Sequence, residues 1–304
     1  MKREPKPKIV TIIGQTASGK SSLGIKLAKK FNGEIVSADS RQVYKGLDLG
    51  TGKVTKMEMQ GIPHHLLNVA SPKQIYTVSH YIQDAKKAIQ AILDKGKLPI
   101  IVGGTGFYID ALTEGALLPE VPPNISLRKE LEKYKPEKLF SILKKIDPKR
   151  SKNIDPKNSV RLIRAIEIAK AIGATPPIKN TRTYDVLRIG IAIDQEKLKK
   201  NILKRLNDRI KKGMVNEVKK LHKSGLSWKR MESLGLEYRY LARFLKKKIT
   251  KAELITELNK EILSYAKRQK TWFKRNKQTH WIQPNDRNTA KKLIESFIDK
   301  NKQT

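Results

Sequence analysis

One stretch near the N-terminus constrains the fold of this chain most strongly. A β-branched apolar run from Ile9 to Ile13 leads into Gly14-Gln-Thr-Ala-Ser-Gly19-Lys20-Ser21, and apolar residues at helical spacing follow it. The order of strand, glycine-rich turn and helix is that of a phosphate-binding loop, whose backbone N–H groups point at one phosphate. We therefore predict phosphate contacts from Gly14, Gln15, Thr16, Ala17, Ser18, Gly19, Lys20 and Ser21.

Lys20 and Ser21 add specific chemistry to this loop. The lysine supplies a positive charge, and the serine hydroxyl suits a Mg²⁺ ion bound to the same phosphates. The motif indicates a diphosphate or triphosphate ligand and does not distinguish a nucleotide from other such compounds. A glycine-rich turn that matches by chance is the alternative, and the flanking strand and helix argue against it.

Chain length and composition limit the class of protein. A chain of 304 residues can hold one large α/β domain with an insertion, or two modest domains. The absence of cysteine excludes disulfides and thiolate metal sites. The sequence has no apolar run of about 18 residues and no apolar signal core, so we expect a cytoplasmic protein that does not enter a membrane.

The charge balance is the strongest signal in the composition. Lysine and arginine number 65 against 29 acidic residues, which gives a formal net charge of +36. Such a charge creates a strong field for polyanions, so nucleic acid is the leading partner and an anionic membrane surface is the second candidate. A lysine-biased genome could supply part of the excess.

Two further strands are predicted to end beside the phosphate-binding loop. One spans residues 33–39 and ends in Asp39, and the other covers residues 97–102 and leads to Thr105. Ligands of open parallel sheets bind beyond the carboxyl ends of the strands, so both side chains are expected in that crevice. A helix N-cap is the alternative for Asp39. No acidic residue directly ends the second of these strands, where P-loop proteins that hydrolyse nucleotides usually carry a Mg²⁺ ligand, and this argues against a generic ATPase or GTPase. Residues 46–53 are predicted to form a flexible polar loop.

The middle of the chain is predicted to be a helical insertion bracketed by prolines. Prolines punctuate residues 119–124, a helical pattern extends to residue 173, and Pro176-Pro177 closes the segment. Arg161 and Arg164 are three residues apart and share a helix face, which is either solvated or suited to a nucleic-acid backbone. We predict a P-loop catalytic core from residues 1–120 and 186–304 and a helical insertion from residues 121–185.

The last third returns to the α/β pattern. A strand at Val186–Ile193 precedes a long helix on which Arg205 and Arg209 flank an apolar stripe, and each arginine can reach into a crevice or extend into water. On a later helix Gln269 lies on an apolar face and requires a partner, either protein or ligand. The tract Lys267–Arg275 interleaves cations with aromatic residues, as binders of single-stranded nucleic acid do. The predicted fold class is α/β, a P-loop NTPase-like core with a mainly parallel sheet flanked by helices, plus a helical insertion domain.

Six motifs stand in order over nearly the whole chain. They are Gly14-Gln-Thr-Ala-Ser-Gly-Lys20-Ser21, Ser37-Ala-Asp39-Ser40-Arg41-Gln42-Val-Tyr44-Lys45-Gly46, Gly50-Thr51-Gly52-Lys53, Gly103-Gly104-Thr105-Gly106-Phe107-Tyr108, Arg161-Leu-Ile-Arg164-Ala165 and Lys267-Arg268-Gln269-x-Thr271-Trp272-Phe273. Each motif is moderately specific by itself, whereas the ordered set is highly specific. The set closely resembles the tRNA dimethylallyltransferase family, also known as the tRNA isopentenyltransferase family.

The resemblance implies a reaction and its catalytic residues. Members transfer a dimethylallyl group from dimethylallyl diphosphate to N6 of the adenine 3′-adjacent to the anticodon in tRNA, and their phosphate loop holds the prenyl donor. By motif match Asp39 is the expected base and Thr105 positions the two substrates. Arg209 is expected to join Lys20 on the diphosphate, with Mg²⁺ as the cofactor bound through Ser21. We expect a monomer.

The resemblance also implies the contacts with tRNA, which the insertion is expected to grip at the anticodon stem. The residues implied are Asp39, Ser40, Arg41, Gln42, Thr105, Arg128, Val160, Arg161, Leu162, Ile163, Arg164, Lys267, Arg268, Gln269, Trp272 and Arg275. Two positions depart from the family pattern. The loop from Gly50 to Lys53 lacks the alanine and proline that many members carry, and Glu237 stands where glycine is common.

Three other functions share parts of this pattern. A P-loop kinase for a small metabolite would have the same loop but no need for a charge of +36. An adenylate isopentenyltransferase would share the core without reason for a tRNA-gripping insertion. A non-enzymatic RNA-binding P-loop protein would not need Asp39 and Thr105 beside the loop.

Overall fold

The computed structural model describes residues 5–115, 119–173 and 182–299. The chain divides into two compact units, one of residues 1–115 with 182–304 and the other of residues 116–181. The unit boundaries lie a few residues before those drawn from the sequence, at 120 and 186. The predicted closure at Pro176-Pro177 lies outside the described residues.

The first unit is built on a six-stranded sheet in which every described pairing is parallel. Its strands are β1 (Lys8–Gly14), β2 (Gly33–Ala38), β3 (His64–His65), β4 (Leu98–Gly103), β5 (Asp185–Ile191) and β6 (His280–Ile282). The spatial order is β3-β2-β4-β1-β5-β6, so β1 lies between two strands that come much later in the chain. The α/β fold with a mainly parallel sheet, predicted from the sequence, is confirmed.

The strands that form the centre of the sheet are buried on both faces, which is why they read as continuous apolar runs. Ile9, Ile12 and Ile13 of β1 are fully buried, as are Ile100 and Ile101 of β4. The edge strand β3 was not predicted because two residues are too few to show an alternating pattern. It is held in place by parallel pairing with β2.

Helices cover the sheet and add a separate layer. They are α1 (Lys20–Lys30), α2 (Lys56–Met59), α3 (Val78–Leu93), α4 (Gly106–Thr113), α9 (Gln195–Lys211), α10 (Met214–Lys223), α11 (Trp228–Leu234), α12 (Leu236–Leu245), α13 (Lys251–Phe273) and α14 (Arg287–Asp299). Helices α1 and α14 pack on one face of the sheet, and α3 and α4 pack on the other. Helices α9 to α13 share a third apolar core, centred on Leu206, Leu258 and Ile262. Helix α14 was not predicted from the sequence.

The second unit is a small helical bundle with its own core. Its helices are α5 (Ile125–Leu131), α6 (Pro136–Ile146), α7 (Pro148–Ser151) and α8 (Ser159–Ile172). Pro136 and Pro148 each begin a helix, where the missing N–H costs nothing. Leu139, Leu143 and Leu162 are fully buried in the centre of the bundle.

A buried carboxylate ties this bundle together. Glu167 of α8 accepts hydrogen bonds from Nε and Nη2 of Arg128 at 2.9 and 2.7 Å and from the Asn124 N–H at 2.6 Å. Arg164 Nη1 also donates to this carboxylate, at 2.5 Å. Burial alone would raise the pKa of Glu167, but these hydrogen bonds lower it to about 2, so the group stays ionised.

Within the residues that the structure describes, every helix is too short or too polar to cross a membrane.

Candidate active site

The phosphate-binding loop has the backbone conformation that its glycines allow. Gly14, at the end of β1, has a φ of 150°, and Gly19, before α1, has a φ of 93° in the left-handed region. A side chain at either position would be strained. Lys20 Nζ donates a hydrogen bond to the Gln15 carbonyl at 2.5 Å, so the ammonium group lies inside the turn of the loop. The loop therefore encloses its own cation, as a phosphate site requires.

A cavity of about 610 Å³ lies against this loop at the carboxyl ends of β1, β2 and β4. Residues 16–22 of the loop and of α1 form one side, and Asp39 and Gly104 lie at the strand ends. Arg205 of α9 and Tyr265 of α13 also line the cavity. The position is the one that ligands of open parallel sheets occupy.

Basic side chains slightly outnumber acidic ones in the cavity lining: Lys20, Lys26, Lys204 and Arg205 against Asp39, Glu58 and Asp208. Burial of the ammonium group and the adjacent Arg205 charge lower the pKa of Lys20 from 10.5 to about 7, although Asp39 acts in the opposite direction. Burial and the neighbouring Arg209 lower the pKa of Arg205 to about 10, which leaves it charged at neutral pH. Arg205 Nη2 donates to the Thr16 hydroxyl at 2.8 Å, so the guanidinium reaches the loop directly. An anion bound here would favour the charged forms of both groups and so offset the burial and the charge repulsion that lower their pKa values.

The predicted base and the predicted positioning hydroxyl lie next to each other. Oδ1 of Asp39 accepts the N–H groups of Arg41 at 2.8 Å and Gln42 at 3.2 Å. Oγ1 of Thr105 accepts the Ser40 N–H at 3.0 Å. Among the described residues, no hydrogen bond involves Oδ2 of Asp39, which leaves that oxygen available to a ligand. Oδ1 thus caps a turn at residues 40–42, and because no helix begins there, the helix N-cap alternative for Asp39 is not realised.

The structure does not bring Arg209 to the cavity, and this corrects the prediction that it contacts the diphosphate with Lys20. Its Nη1 donates to the carbonyls of Leu49 and Gly50 at 3.2 and 2.9 Å, and its Nη2 donates to Glu237 at 2.9 Å. The residue is 6% exposed, because α12 and the loop at residues 49–50 cover it. Arg205, one helical turn earlier, takes the cavity position instead.

Gln269, singled out as a polar residue on an apolar face, has protein partners. Its Oε1 accepts the Thr16 N–H at 2.7 Å, and its Nε2 donates to the Gly104 carbonyl at 2.9 Å. The side chain is buried and lines the cavity, so it does not belong to an exposed tRNA-binding surface. It joins the phosphate-binding loop to the end of β4.

Tyr265 is a cavity residue that the sequence analysis missed. It lies one turn before Gln269 on α13, close to Thr105 and Asp39. Burial and the Asp39 charge raise the pKa of its hydroxyl well above the usual value, so the phenol is neutral and can donate a hydrogen bond. The sequence signal that could have identified Tyr265 is its position four residues before Gln269, which places both side chains on the same face of α13.

The residues predicted to contact tRNA divide into exposed and buried groups. Exposed cations in the first unit are Lys267, Arg268 and Arg275, and in the second unit Val160 and Arg161 are exposed. Ser40, Arg41, Gln42 and Thr105 are partly exposed around Asp39. Leu162 and Ile163 are buried in the bundle core at 0% and 8% exposure, which argues against the predicted tRNA contacts of their side chains.

Three other predicted contacts have structural partners that limit their freedom. Arg128 and Arg164 are about one-third exposed while their guanidinium groups bind Glu167. Trp272 donates its indole N–H to Asp110 at 2.7 Å, and the Arg275 guanidinium stacks 3.8 Å from the indole ring centre. This stacked pair presents a flat cationic surface of the kind on which bases stack.

Comparison with known protein families gives a match over most of the chain. A family model described as IPP transferase matches residues 42–276. The tRNA dimethylallyltransferase 2 of Citrifermentans bemidjiense is 41% identical over 292 residues, with 94% of each chain covered. The tRNA dimethylallyltransferase 2 of Treponema denticola is 44% identical over 272 residues, with 88% of this chain and 91% of the relative covered.

Solved structures agree with this match. The full-length tRNA isopentenylpyrophosphate transferase from Bacillus halodurans is 36% identical and superposes with a TM-score of 0.72, with 96% of each chain covered. A eukaryotic dimethylallyltransferase, described as acting on tRNA, is 26% identical with a TM-score of 0.80, covering 96% of this chain and 78% of that one. With the phosphate-binding loop, the cavity and these similarities in agreement, the chain belongs to the IPP transferase family.

Proposed function

We propose that this protein is a tRNA dimethylallyltransferase, which transfers a dimethylallyl group from dimethylallyl diphosphate to N6 of the adenine 3′-adjacent to the anticodon. The observation that carries the proposal is the cavity itself. It joins a cationic phosphate-binding loop to a carboxylate, Asp39, that keeps one oxygen free. Family membership supports the choice of the two substrates, since the named relatives are tRNA dimethylallyltransferases.

The donor diphosphate binds at the loop in this proposal. Lys20 and Arg205 provide charge, and the backbone N–H groups of residues 19–22 provide hydrogen bonds at the start of α1. As the C–O bond to the diphosphate breaks, negative charge grows on the leaving oxygens. Preorganised cations that face this charge supply the largest part of the rate enhancement.

The acceptor amine approaches from the side of Asp39. The lone pair of N6 forms a bond to the allylic carbon while the C–O bond breaks, and the amine proton passes to the free Oδ2 of Asp39. A positioned general base contributes roughly 10²- to 10⁴-fold. Thr105, hydrogen-bonded beside Asp39 through Ser40, and the neutral phenol of Tyr265 orient the reacting groups.

A magnesium ion fits the residues of this site. Within the described part of the chain, no group of three or more His, Asp or Glu side chains could hold a metal ion. Mg²⁺ keeps several waters and commonly binds through substrate phosphates with few protein ligands, so the exposed Ser21 hydroxyl at the cavity is a sufficient protein contact. When bound, it would neutralise charge on the diphosphate.

The exposed cations are the proposed tRNA contacts. Lys267, Arg268 and the stacked Trp272–Arg275 pair of the first unit supply them there, and Arg161 supplies one in the second unit. Proteins read RNA sequence mainly in single strands, so the target adenine must leave the stack of the anticodon loop to be read and modified. We further propose that the protein acts as a cytoplasmic monomer.

The test is transfer of labelled dimethylallyl diphosphate to unmodified tRNA, followed by mapping of the labelled nucleotide. We expect label on the adenine 3′-adjacent to the anticodon. A matched anticodon stem-loop with guanine at that position should keep most of its affinity and accept no label. Modification of free AMP but not of tRNA would favour an adenylate isopentenyltransferase, and ATP-dependent phosphorylation of a metabolite would favour a kinase.

A salt titration of tRNA binding tests the proposed cationic surface. Contacts with about four phosphates give a log–log slope near 3, so affinity should fall more than tenfold between about 50 and 200 mM salt. A shallow slope would show that few phosphates are bound.

A further inference from the structure

The loop of residues 47–53 forms one wall of the cavity. Thr51 and Gly52 line the cavity, and Gln42 Nε2 lies 3.5 and 3.4 Å from their carbonyl oxygens. A Cβ atom built on Gly52 would lie 3.4 Å from Arg209 Nη1 and 3.6 Å from Arg205 Cζ. Gly52 in this wall therefore lies next to Arg205, the arginine that we assign to the diphosphate.

A carboxylate from another element holds the N–H groups of this loop. Oε2 of Glu217, on α10, accepts the N–H groups of Asp48 at 3.0 Å and Leu49 at 2.6 Å. Its Oε1 accepts the Gly50 N–H at 3.0 Å and the Tyr238 hydroxyl at 2.8 Å. Hydrogen bonds to an ionised carboxylate are roughly twice as strong as neutral ones, so three successive backbone groups are fixed by one side chain.

A buried ion pair holds the carbonyl groups of the same loop. Arg209 donates to the carbonyls of Leu49 and Gly50, as described above, and pairs with Glu237. The two side chains of the pair are 7% and 12% exposed. Without Glu237 the guanidinium would be a buried charge beside that of Arg205, which is strongly unfavourable.

Close packing leaves the loop little room to move. A Cβ atom on Gly50 would lie 2.5 Å from Cζ of Tyr238, so the backbone passes directly over that ring. Both polar groups of Gly50 and of Leu49 are bonded, the N–H groups to Glu217 and the carbonyls to Arg209. The loop is thus an ordered surface, in contrast with the flexible loop that its composition predicts.

We propose that Glu217 and the Arg209–Glu237 pair are positioning residues, which fix the 47–53 loop as the cavity wall against which the prenyl donor binds. The inference rests on the proposed function for the identity of that ligand. None of the three residues lines the cavity, so they act through Thr51, Gly52 and Arg205. The expected signature is weaker donor binding with the chemical step nearly intact, because a saturating donor can order a loosened loop.

The experiment compares Glu217→Gln and Glu237→Gln with Glu295→Gln, a matched change at a half-exposed carboxylate on α14 that pairs with Lys291. For the first two we expect the Kd of dimethylallyl diphosphate, measured by calorimetry, to rise about tenfold, which corresponds to about 1.4 kcal/mol. The kcat for transfer and the Kd for tRNA should stay close to those of the parent protein. Hydrogen exchange at the amides of residues 48–50 should accelerate in Glu217→Gln.

Tyr238→Phe provides a milder variant should Glu217→Gln fail to fold. It removes one of the four hydrogen bonds to Glu217 and keeps the ring that packs under Gly50, and we expect faster exchange with a smaller rise in donor Kd. The inference is overturned when folded variants with accelerated exchange bind the donor as tightly as Glu295→Gln. Failure of the parent protein itself to bind the donor would instead overturn the proposed function.

Discussion

Replacing Gln269 with leucine should loosen the phosphate-binding loop and destabilise the first unit. The side chain joins two backbone groups that are far apart in sequence, the Thr16 N–H and the Gly104 carbonyl, and it is 5% exposed. Leucine fills a similar volume but can bond to neither group. The variant therefore tests whether one buried amide supports both the fold and the site.

The expected magnitude follows from these two hydrogen bonds. Each contributes about 1 kcal/mol net, and each backbone group left unpaired costs about 1–3 kcal/mol when it is fully buried. Water in the adjoining cavity can bond to the two backbone groups that leucine leaves unpaired, so we expect the low end of this cost. The free energy of unfolding should then fall by about 2–3 kcal/mol in total. For a unit of this size that corresponds to a fall in Tm of about 5–10 °C.

The assay combines calorimetric unfolding with the KM for dimethylallyl diphosphate. Gln269→Glu keeps an oxygen that accepts the Thr16 N–H but loses the N–H that donates to the Gly104 carbonyl. It also brings a negative charge next to the site of the prenyl diphosphate. We expect it to raise KM more than leucine does. The control is Gln283→Leu, at an exposed position. If Gln269→Leu matched that control in both Tm and KM, the structural role assigned to the amide would be refuted.

Three further outcomes follow from the site and the bundle. Asp39→Asn should lower kcat for transfer by roughly 10²-fold or more and leave tRNA affinity unchanged, whereas Asp208→Asn, at the same cavity, should change kcat little. Because the pKa of Lys20 is about 7 in the free protein, binding of the diphosphate above that pH requires Lys20 to take up a proton. Calorimetry should therefore show proton uptake, and the affinity for dimethylallyl diphosphate should fall more than tenfold from about pH 7.5 to about pH 9. The affinity of Lys20→Arg should change little over the same pH range. Glu167→Gln should destabilise the helical bundle by about 2 kcal/mol in denaturant unfolding. The pKa of Glu167 in the folded protein, about 2, lies below its usual value of 4.5, so the parent should lose this contribution as pH falls from 4.5 towards 2.

Those parts of the site that depend on strand ends could be predicted from the sequence. The apolar runs of β1, β2 and β4 are local patterns, and parallel strands bring their carboxyl ends to one edge. Once the phosphate-binding loop is assigned to the first strand, Asp39 and Thr105 must lie near it. The structure places Asp39 in the cavity lining, and Thr105 is hydrogen-bonded to the next residue, Ser40.

The choice between the two arginines of α9 could not be predicted in this way. Residues four apart on a helix differ in direction by only about 40°, so Arg205 and Arg209 border the same apolar stripe. Which one reaches the cavity depends on what packs against each, and the covering groups are Glu237 of α12 and the loop at residues 49–50. The same limit applies to Leu162 and Ile163, whose burial depends on the other helices of the bundle.

The sequence by itself determined the phosphate-binding loop, the parallel sheet that carries it and the family, because each is encoded in residues that are close together or in a fixed order. Tertiary structure alone decided which polar side chains face the ligand and which support the backbone behind it. Glu217, Gln269 and Glu237 make these contacts with residues from 21 to 253 positions away, the extremes being Tyr238 for Glu217 and Thr16 for Gln269. Hydrogen bonds over such separations leave no periodic pattern in the sequence, since they form only after the helices have packed.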